Sequence, residues 1–160
     1  MSFSRPRVTV LLLLAILFPW VTVVADEGPV FSYVTDLEYD EVKDNIKLAI
    51  TGRGINIANE LHASDMLNRT GPDLGFERPV FKHAETIEFC SAVISLRLVE
   101  KTPDNVVMCP FAVSLYQLNA SPEQTHVAYR IPVGFDGSEA VYTEVAELIS
   151  GIVREALELD

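Results

Sequence analysis

The chain has 160 residues, 49% of them hydrophobic, and a formal charge of −11 from 23 acidic against 12 basic side chains. A protein this acidic repels polyanions, which sets aside nucleic acid and anionic lipid surfaces as partners. The two cysteines, Cys90 and Cys109, form no C-x-x-C or C-x-x-C-H, which excludes a thioredoxin-type motif and that route to covalent haem.

Residues 1–25, "MSFSRPRVTVLLLLAILFPWVTVVA", read as a Sec-type signal peptide. Arg5 and Arg7 form a positive start, Val8 to Phe18 is unbroken apolar sequence, and small residues precede Asp26. The apolar run is too short for a membrane span and is broken by Pro19. Cleavage between Ala25 and Asp26 takes away both arginines and leaves residues 26–160 as one acidic domain of charge −13. The expected location is the periplasm or the medium, with no membrane attachment after cleavage. A domain of that size can bury a core without needing disulfides.

"PVFSYVTDL" alternates as a first strand through Phe31 and Tyr33. Asp40 then looks like the N-cap of a helix that faces the core with Val42, Ile46, Ala49 and Ile50 and stops at Gly52 and Gly54. Asp36, Glu38 and Asp40 alternate as in a calcium loop, but Glu41 stands where that loop needs glycine; an acidic first helical turn explains them better. "INIANEL" is a second strand, and "HASDMLNRT" a short helix from Ser64. After the turn-rich "GPDLGFERP" comes a short strand, "TIEF", then a helix with Ala92, Leu96 and Val99 on its inner side and Pro103 at its end.

"VVMCPFAVSLYQL" places Val107, Cys109, Phe111, Val113 and Leu115 on one face of a strand that is apolar on both sides, which belongs at a sheet centre. "NASPEQ" turns it into "THVAYRIP". The final helix carries Val141, Val145, Leu148, Ile152 and Leu159 in one stripe. Together these elements make a single α+β domain.

The segments "LHASDMLNRTGPDLGF", "IEFCSAVIS", "VVMCPFAVSLYQL" and "VAYRIP" resemble an exported branch of the family of domain of unknown function 302 (DUF302), over roughly Tyr39 to Pro132. The resemblance implies a β-α-β4-α domain like the TATA-binding protein, with an antiparallel-rich sheet, helices on one face and a homodimeric state in a bacterial protein. It implies no activity.

Two arrangements could carry chemistry. Cys90 ends a strand at a helix N-terminus and Cys109 lies early in the next strand, so they read as a disulfide, as two buried thiols, or as a redox or metal-binding pair. His62 and Met66, four apart, could hold copper or haem if helical from the start, although no cofactor is required by the sequence. No serine or cysteine nucleophile motif and no phosphate loop is present. The reading that follows is a non-catalytic binding or accessory protein, with a small ligand in an apolar cavity between sheet and helices or at a dimer seam. Met108, Phe111 and Tyr129 are its candidate lining residues. The rival is thiol redox or soft-metal handling by Cys90 and Cys109 with His62 and Met66.

Overall fold

A computed structural model describes residues 30–132 and 139–159; the expected signal peptide lies outside them. In chain order the elements are β1 (Val30–Thr35), α1 (Tyr39–Gly52), β2 (Ile57–His62), α2 (Ala63–Thr70), β3 (Phe81–Phe89), α3 (Ala92–Lys101), β4 (Phe111–Leu118), β5 (Ser121–Arg130) and α4 (Glu139–Ala156). The strands form one antiparallel sheet in the order β1-β5-β4-β3-β2. The element order is β-α-β4-α, with α2 and α3 inserted between strands. As expected from its two apolar faces, β4 is central.

Alternation along the strands sends one set of side chains to the core. Phe111, Val113 and Leu115 of β4, Val127 and Tyr129 of β5, and Ile87 and Phe89 of β3 are all buried there. Val42, Ile46, Ala49 and Ile50 of α1 cover that face, together with Val145, Ile149, Ile152 and Val153 of α4. Each fully buried Val, Ile, Leu or Phe side chain among them contributes about 1.5–3 kcal/mol. Gly54 follows α1 in left-handed backbone, at φ 70°, which glycine adopts without cost from a Cβ.

The structure corrects several boundaries. Glu38, not Asp40, precedes the first turn of α1, and Asp40 lies within it. The β4 strand starts only at Phe111. Pro103–Met108 forms a 3-10 turn and Pro110, which lacks an N–H for the ladder, follows Cys109. Val107 is therefore exposed instead of core-facing. The hairpin turn is only Asn119 and Ala120, because polar Ser121 to Gln124 continue β5 past the core. The β3 strand extends back to Phe81 for the same reason: Lys82 and His83 are exposed at its outer end.

The inner side of α3 is Leu98, with Ile94 packed beside it, and not Ala92, Leu96 and Val99; Leu96 is 67% exposed. Ser91 sets that phase by accepting the Ile94 N–H as N-cap. On α4 the buried stripe adds Tyr142, Ile149, Val153 and Ala156, while Leu159 lies beyond the helix and is exposed.

Candidate functional site

Register alone brings the cysteines together. Phe89 of β3 faces Phe111 of β4, so Cys90 follows one member of that pair and Cys109 precedes the other by two residues. Their Cα atoms are 5.8 Å apart and the sulfurs are bonded across a separation of 19 residues. Cys90 stands just before the Ser91 N-cap of α3, as its sequence position implied. Cys109 is in the turn before β4, not in the strand.

The same end of the sheet holds a cavity of about 570 Å³. Its walls include Met108, Phe111 and Tyr129, and the lining takes in both sides of the sheet end: core-facing Phe111, Tyr129 and Ile149, and Ala112, Ser114, Ala128 and Arg130 of the opposite face. The reason is visible in the register. Ala112, Ser114 and Ala128 alternate with the core-facing Phe111, Val113 and Tyr129, and Ser114 sits directly opposite Ala128. Three small side chains make a low floor. Val30 of β1 rises at one edge of it, and Val107, Met108 and Pro110 rise at another. Ile131 and Pro132 continue the wall after β5, and the cavity reaches Ile149 of α4 round the sheet end.

The walls are mostly apolar, and a volume of this order suits a small organic ligand. The Ser114 hydroxyl is already engaged, 2.8 Å from Thr86 Oγ1. Burial and a hydrogen bond with Tyr33 push the Tyr129 phenol up to about 12, so that residue adds no charge. Arg130 is the remaining polar contributor, placed opposite Val30 on the open side of the sheet.

His62 and Met66 lie elsewhere. His62 ends β2, where the β2–β3 register sets it against Glu85, with Nδ1 3.4 Å from Oε2. The Glu85 carboxylate, 12% exposed, also meets Lys43 Nζ at 3.5 Å. Beside it, burial and the negative charge of Glu85 raise the Tyr39 phenol well above its ordinary range. This is an ion network tying α1 to two strands. Met66 lines a separate groove of about 440 Å³ with Leu67, Leu74, Phe76 and Val80. Among the described residues, no three His, Cys, Asp or Glu side chains are placed to hold a metal ion. No helix of the described residues is long and apolar enough to cross a membrane.

Residues missed by sequence reasoning are the small floor, Ala112, Ser114 and Ala128, and the cation Arg130. The only local signal was a charged residue closing the apolar "VAYR".

Residues 31–156 match the family described as domain of unknown function DUF302. Among solved structures, the chain is similar to an uncharacterized conserved DUF302 protein from Bacillus stearothermophilus, with a TM-score of 0.65 and 10% identity. The likeness covers 79% of this chain and 97% of that one, and at such identity it shows the fold alone. No curated protein matches the chain.

Proposed function

The chain belongs to the DUF302 family, whose description carries no activity, and from its own residues we propose a non-catalytic, exported binding or accessory protein. Its ligand is a small, largely apolar molecule held in the cavity beside Cys109. The observation that carries this reading is the cavity itself: about 570 Å³ of mostly apolar wall over a floor of two alanines and a serine. Export is supported by the signal-like residues 1–25, and the bacterial periplasm is the compartment we assign.

Filling the floor tests the site. Ala112→Phe places a ring where the ligand would lie, on a half-exposed position that tolerates a larger side chain without disturbing the core. A solvatochromic apolar dye should bind wild-type protein and lose at least tenfold in affinity in the variant, with thermal unfolding little changed. Equal dye binding by both proteins would remove the cavity from consideration.

We also propose that the protein acts as a homodimer. The sheet face away from α1 and α4 exposes Val30, Val34 and Leu61, at 65%, 55% and 46%. Their register partners Arg130, His126 and Thr86 place all three on that one side. A second copy would remove them from water and, because Val30 also edges the cavity, would put the ligand at the dimer seam. Sedimentation at micromolar concentration should give a dimer for wild type and a monomer for Val34→Glu. A wild-type monomer would refute the assembly and leave the cavity reading intact.

A further inference from the structure

Among the described residues the cavity wall has one charged member, Arg130. Lys43, Lys47, Arg53 and Arg97 all meet a carboxylate in an ion pair. Arg130 makes no ion pair among the described residues, although acidic groups outnumber basic ones 23 to 12. Arg69, Arg78, Lys82 and Lys101 likewise meet no carboxylate among the described residues, so what sets Arg130 apart is its place on the wall of an apolar cavity.

Arg130 is placed to serve the cavity. It is the last residue of β5 and pairs with Val30, so it shares the side of Ala128, Ala112 and Ser114. The apolar wall beyond it is formed by Met108 and Ile131. A guanidinium presents five donors in a planar fork, which matches the two oxygens of a carboxylate. The hydroxyls near the floor are neutral, Ser114 bonded to Thr86 and Tyr129 to Tyr33, so the charge that would meet an anion there is that of Arg130.

We propose that the cavity takes a carboxylate amphiphile: a short apolar chain over the Ala112–Ser114–Ala128 floor, with its carboxylate paired to Arg130. This assignment rests on the ligand-cavity reading above and adds to it the class of ligand. The pairing is a charge-assisted, bidentate hydrogen bond at the exposed end of β5, with the apolar wall of the cavity on one side of it. The long-range field of the protein works against it, because the net negative charge repels an anion and attracts a cation. Selectivity for the anion must therefore come from the local pair.

The test compares three probes with one ten-carbon tail and different heads: decanoate, decanol and decyltrimethylammonium. Titration calorimetry on mature protein should show decanoate binding at least tenfold tighter than the other two. Arg130→Gln, at an exposed strand end, should remove that preference by weakening decanoate about tenfold while leaving decanol as it was. Arg130→Lys should recover part of it, as a point charge without the fork. Ala112→Phe should weaken decanoate and decanol alike. Equal binding of all three probes, or tightest binding of the cation, overturns the carboxylate assignment and leaves the apolar cavity standing. No binding of any probe overturns both readings. A decanoate preference that survives Arg130→Gln, or binding unaffected by Ala112→Phe, places the anion elsewhere and also overturns the assignment.

Discussion

Cys90→Ser and Cys109→Ser should each lower the unfolding free energy by about 3 kcal/mol, and the double substitution should cost no more than either. The bond closes a loop with a sequence separation of 19 residues, and the chain-entropy model gives about 3 kcal/mol for a loop of that length. For a domain of this size that corresponds to a fall of about 10 °C in Tm. Reducing wild-type protein should reproduce the same shift. The equality of the two single variants is the diagnostic, because a staple is lost whichever end is cut. It separates the pair from the rival role in thiol redox or metal handling. There, Cys90 at the start of α3 would be the attacking or ligating thiolate, favoured by the helix N-terminus. Cys90→Ser would then abolish reducible chemistry or copper uptake with the fold intact, and Cys109→Ser would not behave alike. Thermal unfolding with and without reductant, with thiol counting on each variant, decides between them.

The staple also bears on the ligand. Cys109 is next to Met108 and Pro110, both in the cavity wall, and Cys90 is anchored behind Phe89 in the core. Opening the bond frees the turn that forms one side of the cavity, so decanoate binding should weaken along with stability.

The parts of this arrangement that sequence exposes are those set by local periodicity. The inner face of α1 follows from Val42, Ile46, Ala49 and Ile50 at helical spacing, and the place of β4 follows from its two apolar faces. A helix with apolar residues spread around it gives no such answer. On α3, Val93, Ile94, Leu96, Leu98 and Val99 leave the phase open, and packing against α4 selects Leu98. Contacts that depend on register were out of reach for a different reason. Glu85 meets His62 across 23 residues of sequence and Ser114 meets Ala128 across 14, and each pairing exists only once a strand ladder is fixed. Small residues on the outer side of a strand carry no apolar signal, so a cavity floor built from them is silent in the sequence.

Asn105→Ala is expected to cost about 2–4 kcal/mol, unusually much for a polar residue in a turn. Asn105 is buried, 8% exposed, in the 3-10 turn Pro103–Met108. Its Nδ2 donates to the Leu98 carbonyl at 3.0 Å, which also accepts the Thr102 N–H at the end of α3 at 3.3 Å. Its Oδ1 accepts the Tyr142 hydroxyl of α4 at 3.1 Å. One amide thus ties the turn to two helices. Alanine removes both of these buried hydrogen bonds together, at about 1–2 kcal/mol each. Tyr142→Phe takes away only one of these bonds and should cost about 1 kcal/mol. The double variant should cost less than the sum, since the shared bond is lost only once. The turn leads directly into Val107 and Met108 of the cavity wall. Asn105→Ala should therefore weaken decanoate binding severalfold even well below its Tm, whereas Tyr142→Phe should leave binding close to wild type. Unfolding in urea and calorimetry on the same three variants measure both quantities. Full ligand affinity in a strongly destabilised Asn105→Ala would show that the wall holds its shape without this anchor.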